Sequence, residues 1–198
     1  MVEKKPARGR PRDPALRRKI IAAAAALLDE GGITAVTMEA VAAKARVGKP
    51  TLYREWPNAQ ALAMAAFLET TRAQKPRTGK TRPLDALREQ LRAIARGFST
   101  RSGRNTAMMI AAAQHDSELA KVFRNRFIMA RREEGRTLLT RAIAAGALRA
   151  DTDTDLALDL IYAPLYFRLL IGHGPLDAAF TDAILDAALK GLGNSRKR

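Results

Sequence analysis

Apolar residues recur at helical spacing from residue 16 onward. In the first such stretch the apolar positions, three or four residues apart, are Leu16, Ile20, Ala23, Leu27 and Leu28. Alanine, the strongest helix former, fills residues 22–26, and the Gly31-Gly32 pair that follows is typical of a helix end. The pattern therefore predicts a first helix from about residue 16 to residue 31.

Two much shorter helices are predicted next. Thr37 is a favourable N-cap residue for a helix that ends near Ala45. A break over residues 46–48 leads to a third helix over 49–56, which Pro57 stops because proline lacks the backbone N–H that a helix interior needs. Two short helices separated by a tight break are thus expected in this part of the chain.

The remainder of the chain is predicted to be helical as well. The expected helices lie at about 58–73, 84–101, 104–114, 117–145, 155–172 and 177–191. No segment alternates apolar and polar residues with the period of a strand, and β-branched residues are sparse. The sequence predicts an all-α protein, in which three N-terminal helices precede a helical bundle.

Composition excludes several kinds of chemistry. The 198 residues include no cysteine, which excludes disulfide scaffolds, iron–sulfur clusters and thiol nucleophiles, and only two histidines. The chain has no apolar run of roughly 18 residues, the length that a transmembrane helix needs, and the N-terminus lacks the apolar stretch of a secretory signal. We expect a cytoplasmic protein that has no enzymatic activity, no cofactor and no metal.

The charge indicates a polyanionic partner. Lysine and arginine number 35 against 20 aspartates and glutamates, which gives a net charge of +15. An excess of this size favours binding to nucleic acid or to an anionic membrane surface. Composition alone leaves both partners open.

The two short helices separate these alternatives. Two helices joined by a tight break are the geometry of a helix-turn-helix, in which the second helix lies in the major groove of DNA. Side chains able to donate hydrogen bonds cluster on that second helix, namely Lys49, Thr51, Tyr53 and Arg54. The helix N-termini at Thr37 and Gly48 offer free N–H groups to phosphate oxygens. The alternative is a helical hairpin with a solvated basic face.

Three motifs in this segment resemble the DNA-binding domain of TetR/AcrR-type transcriptional regulators. They are T-x-x-x-V-A at Thr37–Ala42, V-G-K-x-T-L-Y-R-x-W at Val47–Trp56, and the P-N pair followed by Ala61-Leu62. The resemblance implies a homodimeric, ligand-responsive regulator, usually a repressor, that binds a palindromic operator in double-stranded DNA. It divides the chain into a basic flexible arm (1–14), a helix-turn-helix domain (15–58, motif about 37–56) and an effector-binding and dimerisation domain (59–198).

The resemblance also assigns roles to single positions. Thr37 matches the family's phosphate-contacting cap and Tyr53 its phosphate-contacting aromatic residue, whereas Leu52 and Trp56 match positions that pack inward. Arg46 stands where the family usually has glycine, so either the turn differs or Arg46 adopts a positive φ at a cost of about 1–2 kcal/mol. The complete set of expected DNA contacts is Arg8, Arg10, Arg12, Thr37, Arg46, Lys49, Pro50, Thr51, Tyr53, Arg54 and Asn58.

The first three of these contacts belong to the N-terminal arm. The segment 8–12, R-G-R-P-R, is of the extended basic type that lies in the narrow minor groove of A·T-rich DNA. A tail that only improves solubility is the alternative. Because DNA is the expected partner, we also expect the protein to be associated with the nucleoid.

The C-terminal bundle is expected to hold an effector. Soft apolar side chains and one histidine are grouped as the predicted pocket, made of Met108, Met109, Ala112, His115, Phe123, Phe127, Tyr162 and Tyr166. Such a pocket predicts a small apolar or amphipathic effector, although a core position is the favoured interpretation for each residue on its own. Arginines 124, 126, 131 and 132 would favour an anion, but on a long helix we expect them at the surface.

The last two predicted helices are apolar over more than one stripe. A helix that buries a single face in its own domain needs only one stripe, so the surplus predicts a homodimer seam. The expected seam residues are Leu156, Leu160, Leu165, Phe180, Ile184 and Ala188. Two other functions remain open at this point: a non-specific architectural nucleic-acid binder and a helical enzyme that binds a small molecule.

Overall fold

The structure, a computed structural model, describes residues 13–71, 81–113 and 117–192. These ranges contain ten α-helices and no strand, so the all-α prediction is confirmed. The helices are α1 (Pro14–Gly31), α2 (Met38–Ala45), α3 (Lys49–Tyr53), α4 (Ala59–Thr70), α5 (Pro83–Phe98), α6 (Arg101–Ala112), α7 (Glu118–Phe123), α8 (Met129–Ala144), α9 (Thr154–Ile171) and α10 (Ala178–Leu192). We call α1–α3 the head and α5–α10 the body, with α4 between them.

The long helix predicted over 117–145 is divided in two. A π-helical turn, Arg124–Ile128, joins α7 to α8. In such a turn the backbone N–H bonds five residues back instead of four, so the turn holds one extra residue. The sequence of the turn, R-N-R-F-I, contains neither glycine nor proline, which is why the apolar pattern did not reveal it.

The predicted break at Ser102-Gly103 lies inside α6. The helix starts earlier because the Thr100 hydroxyl oxygen accepts a hydrogen bond from the Ser102 N–H at 3.2 Å. A Cβ atom on Gly103 would lie 1.9 Å from the carbonyl oxygen of Phe98. Glycine is therefore required by the close approach of α6 to the end of α5, and it does not end a helix here.

One apolar core joins the head to α4 and to the first part of the body. α1 packs against both α2 and α4, and α4 also packs against α7. The largest fully buried side chains of this core are Leu28, Leu52, Leu62, Phe67, Met109 and Phe127. α4 therefore shares apolar contacts with the head and with the body.

A second core lies within the body. It is formed by α5, α8, α9 and α10, and its fully buried side chains include Leu87, Leu91, Leu139, Leu158, Ile161 and Leu185. Tyr166 is half-buried and packs against both cores. The two cores thus meet at α9, one turn after Tyr162.

The outer face of α9 is apolar and uncovered. Leu156, Leu160, Phe167 and Ile171 are each at least half exposed, and their spacing places them along one side of the helix. Leu165, which we had expected in the dimer seam, is fully buried in the second core because it projects from the opposite side of α9. Phe180, Ile184 and Ala188 on α10 are half-buried.

Candidate nucleic-acid interface

The recognition helix α3 is held from behind by two apolar side chains. Leu52 is fully buried and Trp56 nearly so, which confirms that both pack inward. A helix of five residues has little stability of its own, so these contacts fix its orientation. The opposite side of α3 faces outward, where Tyr53 is 52% exposed, a large fraction for an aromatic residue.

The outward side carries the polar groups predicted to contact DNA. Lys49, Pro50 and Arg54 are exposed and Thr51 is half-buried. Pro50 lies in the first turn of α3, where its missing N–H has no intrahelical partner to lose. The sequence-predicted residues of α3 therefore lie together on one accessible surface.

Thr37 caps α2 as its sequence position predicts. Its hydroxyl oxygen accepts a hydrogen bond from the N–H of Ala40 at 3.0 Å. The hydroxyl hydrogen remains able to donate, since a threonine hydroxyl carries one donor besides its acceptor lone pairs. The remaining N–H groups of the first turn of α2 also lie at this end, which suits a phosphate oxygen.

The conformation of Arg46 shows which of the two alternatives for the turn is correct. Its φ of 52° and ψ of 53° place it in the left-handed region, and among the described residues no other non-glycine residue has a positive φ. In this position its N–H closes the last turn of α2, with the N–H of Val47 donating to the Ala42 carbonyl at 3.0 Å. The turn therefore keeps the helix-turn-helix form, and the Arg46 side chain is exposed beside α3.

Glu39 belongs to this surface, although the sequence reasoning assigned it no role in DNA binding. Its carboxylate accepts a hydrogen bond from Lys49 Nζ at 3.0 Å, and both side chains are largely exposed. The bond from Lys49 lowers the pKa of Glu39, and the same bond raises the pKa of Lys49. Lys49, at the start of the recognition helix, is thus held by the carboxylate of Glu39 on α2.

Further polar contacts fix the edges of the head. Asn58 caps α4, with its Oδ1 atom accepting from the Ala61 N–H at 2.8 Å, so its amide NH₂ is the group left for DNA. Arg17 on α1 forms an ion pair with Glu55, and its guanidinium lies 5.7 Å from the centre of the Trp56 ring. The predicted contacts Arg8, Arg10 and Arg12 lie outside the described residues.

The residues of the predicted effector pocket are divided between the two cores. Met109, Phe123 and Phe127 lie together in the first core, where the rings of Phe123 and Phe127 stack at 5.0 Å. Tyr162 lies in the second core, and its hydroxyl donates to Gln90 Oε1 at 2.7 Å. The remaining positions are half-buried Met108, Ala112 and Tyr166, whereas His115 lies outside the described residues.

A cavity of about 380 Å³ opens next to this group, between the end of α4 and α8. Its lining residues are Leu68, Glu69, Thr71, Arg126, Ala130, Arg131 and Glu134. None of the described residues of the predicted pocket lines it. Arg131, expected at the surface, is half-buried, because α8 turns this side chain toward α4. Its guanidinium stacks 3.8 Å from the centre of the Phe127 ring.

Two features are absent from the described ranges. No three His, Asp or Glu side chains within them come together in a way that could hold a metal ion. None of the helices within them is both long and apolar enough to cross a membrane.

Comparison with known proteins agrees with this geometry. Residues 20–66 match the family described as bacterial regulatory proteins, tetR family, and residues 75–188 match the tetracyclin repressor-like C-terminal domain. The HTH-type transcriptional regulator YdeS of Bacillus subtilis is 36% identical over 187 residues, which cover 93% of each chain. The DNA-binding transcriptional repressor TetR of Mycobacteroides abscessus is 30% identical over 191 residues, or 92% of this chain and 94% of that one.

Solved structures lead to the same family. The crystal structure of the TetR family transcription regulator SCO0332 superposes with a TM-score of 0.72 at 35% identity, covering 89% of this chain and 98% of that one. The relatives and the family are transcriptional regulators rather than enzymes. With its helix-turn-helix head and helical body, the chain belongs to the TetR family and is a DNA-binding transcriptional regulator.

Proposed function

We propose that the protein is a ligand-responsive repressor that binds a palindromic operator as a homodimer. The observation that carries the proposal is the orientation of α3, whose inward side is fixed by Leu52 and Trp56 while Lys49 and Tyr53 face outward. A rigid helix with donors on its free side suits the major groove, where base edges present acceptors. The repressor named among the relatives supports this direction of regulation.

The roles within the interface follow from the groups each residue offers. Thr37, Tyr53 and Asn58 present a hydroxyl or amide donor suited to phosphate oxygens. Lys49 and Thr51 lie at the start of α3, the part of a recognition helix that enters the groove. Arg46 and Arg54 flank it with exposed cations, and the arginines of the arm are assigned to the minor groove.

The homodimer is assigned to the apolar side of α9. Leu156, Leu160, Phe167 and Ile171 form a stripe that nothing in the described chain covers, and an exposed apolar stripe of this kind is typical of an interaction surface. The half-buried residues of α10, including Phe180 and Ile184, extend it. A second copy that pairs α9 and α10 with their equivalents would cover these side chains and set the distance between the two heads.

The effector is assigned to the cavity between α4 and α8. Its volume of about 380 Å³ is within the range of small-molecule sites, and it touches α4, the helix that leads to the head. A ligand that binds only one position of α4 lowers the fraction of molecules whose heads are arranged to bind DNA, if DNA requires the other position. The cytoplasmic, nucleoid-associated location follows from DNA binding and stays a prediction.

DNA binding is tested by footprinting the purified full-length protein on the DNA that flanks its own coding region. We expect protection of a palindromic site, with a preference over unrelated DNA of about 10³ or more. Equal affinity for all sequences would instead identify an architectural DNA binder.

The dimer is tested by sedimentation velocity without DNA. We expect a species of twice the 21.6 kDa chain mass for the wild type and a monomer for Phe167→Glu combined with Leu160→Glu. Met129→Glu is the matched control, because Met129 is a similarly exposed apolar residue that lies on α8, outside the stripe on α9. A wild-type monomer at micromolar concentration would contradict the assignment.

A further inference from the structure

Arg131 is a half-buried cation that forms no ion pair within the described residues. The ion pairs of that part of the chain include other arginines of α8, namely Arg132 and Arg136, but not Arg131. Burial lowers the pKa of Arg131, because the loss of solvation outweighs the opposing effect of Glu134, which lines the same cavity but lies beyond ion-pair distance. A cation in this situation gains strongly from an anion that reaches it.

The hydrogen bonds of Arg131 go to neutral backbone groups. One guanidinium nitrogen donates to the carbonyl oxygen of Thr71 at 2.7 Å, and the other donates weakly to that of Phe127 at 3.4 Å. Stacking on the Phe127 ring fixes the plane of the guanidinium at the cavity. A planar fork held in this way is the geometry that carboxylates recognise in two parallel hydrogen bonds.

The other charged residues of the cavity differ from Arg131. Glu134 is half-buried and accepts a hydrogen bond from Gln90 Nε2 at 3.1 Å. Arg126 and Glu69 lie at the cavity rim, where both are exposed to solvent. Of the two arginines among the described lining residues, Arg131 is the one held in a fixed orientation, while Leu68 and Ala130 supply apolar wall.

We infer that the cavity binds an amphipathic carboxylate, whose carboxylate group pairs with Arg131 and whose apolar part lies against Leu68 and Ala130. The inference rests on the proposed effector role of this cavity and adds the chemical class of the effector. It narrows the sequence-based expectation of an apolar or amphipathic ligand to one with an anionic end.

The same contact supplies a route to the head. Thr71 follows α4 directly, and its carbonyl oxygen is the group that Arg131 holds. A carboxylate that draws the guanidinium toward itself competes for this hydrogen bond, so the end of α4 is released when the site is filled. Binding of the carboxylate and binding of the operator then oppose each other, as reciprocal linkage requires.

The test uses full-length protein and matched pairs of probes. Butyrate, octanoate, dodecanoate and benzoate are titrated by calorimetry beside the corresponding amides, which have the same shape without the charge. We expect at least one carboxylate to bind about tenfold or more tightly than its amide, as loss of a charged hydrogen bond predicts. The carboxylate that binds should also release the operator, and its amide should not.

Arg131→Gln is the diagnostic variant, since glutamine retains an N–H donor for the Thr71 carbonyl but has no charge. We expect Arg131→Gln to lose about tenfold or more in carboxylate affinity. Arg126→Gln, at the rim of the same cavity, should change carboxylate affinity by less than about threefold. Circular dichroism melting shows whether each variant is folded, and Arg131→Lys replaces Arg131→Gln if it is not, because lysine retains the charge without the fork.

Equal binding of carboxylate and amide, no binding of any of the four carboxylates, or full affinity in the folded Arg131 variant would overturn the inference. Each of these results leaves specific operator binding by the wild type untouched. Loss of the proposed function has a different signature, since it is seen in the footprint without any ligand.

Discussion

The arginines beside α3 differ from those at the helix contacts of the body. In the body, ion pairs with N–O distances of 2.6–3.0 Å join neighbouring helices, namely Arg88–Asp186, Arg92–Asp182, Arg132–Asp155 and Arg136–Asp155. In the head, Arg17 is paired with Glu55, but Arg46 and Arg54 are exposed and form no ion pair within the described residues. Positive charge is thus neutralised at these helix contacts of the body and remains available beside α3. The net charge of +15 alone did not show this distribution.

The same contrast exists within the single turn of α3, where neighbouring residues serve stability and binding separately. Leu52→Ala should lower the free energy of unfolding by about 2–5 kcal/mol, because it leaves a cavity in the first core. Denaturant unfolding measures this loss. Tyr53→Phe, one residue further, is the control and should leave the unfolding midpoint unchanged. A similar loss in both variants would mean that α3 has no separate outer side.

Removal of the outward donors should weaken DNA binding without affecting stability. We expect Lys49→Ala combined with Tyr53→Phe to lower operator affinity by about 1–3 kcal/mol, with the melting temperature unchanged. If Lys49 contacts a phosphate, the slope of log affinity against log salt should fall by about one. Titration of labelled operator at several salt concentrations measures both quantities. Unchanged affinity would remove α3 from the interface.

A smaller effect is expected from Glu39, which holds Lys49 in the free protein. Glu39→Gln removes a negative charge that faces the DNA phosphates, so affinity for unrelated DNA should rise by a few-fold and its salt dependence should steepen. Competition between operator and unrelated DNA shows whether the preference for the operator falls. Glu30→Gln is a suitable control because Glu30 pairs with Lys44, away from α3. Equal results for the two variants would argue against a special role of Glu39.

The smallest effect concerns acid stability, and it should be confined to the body. Hydrogen bonds from Arg92 lower the pKa of Asp182, and those from Arg136 lower the pKa of Asp155. A carboxylate whose folded pKa is depressed stabilises the fold above its unfolded pKa of about 3.9, and this stabilisation is lost as the pH falls through the folded pKa. Below about pH 4, the melting temperature of the wild type should therefore fall more steeply with pH than that of the double variant Asp182→Asn and Asp155→Asn. Parallel curves would contradict the expectation.

Local sequence chemistry predicted the head better than the body. The capping of α2 by Thr37 and the positive φ of Arg46 are decided by residues within one or two helical turns. A local stretch of sequence is therefore enough to predict them. The half-buried position of Arg131 depends instead on how α8 turns toward α4, which no local pattern encodes. The apolar residues on two sides of α9 likewise indicate that both sides are covered. Only the packing of the body shows that Leu165 lies on the side that faces the second core.

Two further features of the structure, one at Gly103 and one at Lys49, are also not predicted by the sequence. A break at Gly103 is predicted because glycine is a weak helix former, whereas the structure requires glycine there because α6 passes close to the backbone of Phe98, a contact that apolar periodicity does not report. The Lys49–Glu39 pair joins residues ten positions apart on separate helices. Opposite charges at the first turns of two adjoining short helices are the available signal, but the sequence alone indicates a separate role for each: Glu39 at a positive helix end and Lys49 as a donor to DNA.

The π-helical turn Arg124–Ile128 fixes the angular phase of everything that follows on α8. One residue of an α-helix corresponds to a rotation of about 100°. A one-residue deletion in a regular turn of α8 before Arg131 would therefore rotate Arg131 away from Thr71. Deletion of the extra residue of the π-helical turn would instead convert α7 and α8 into one regular helix in which Arg131 keeps its side of α8. The turn is thus the place between these two helices where the loss of one residue is expected to leave the cavity intact.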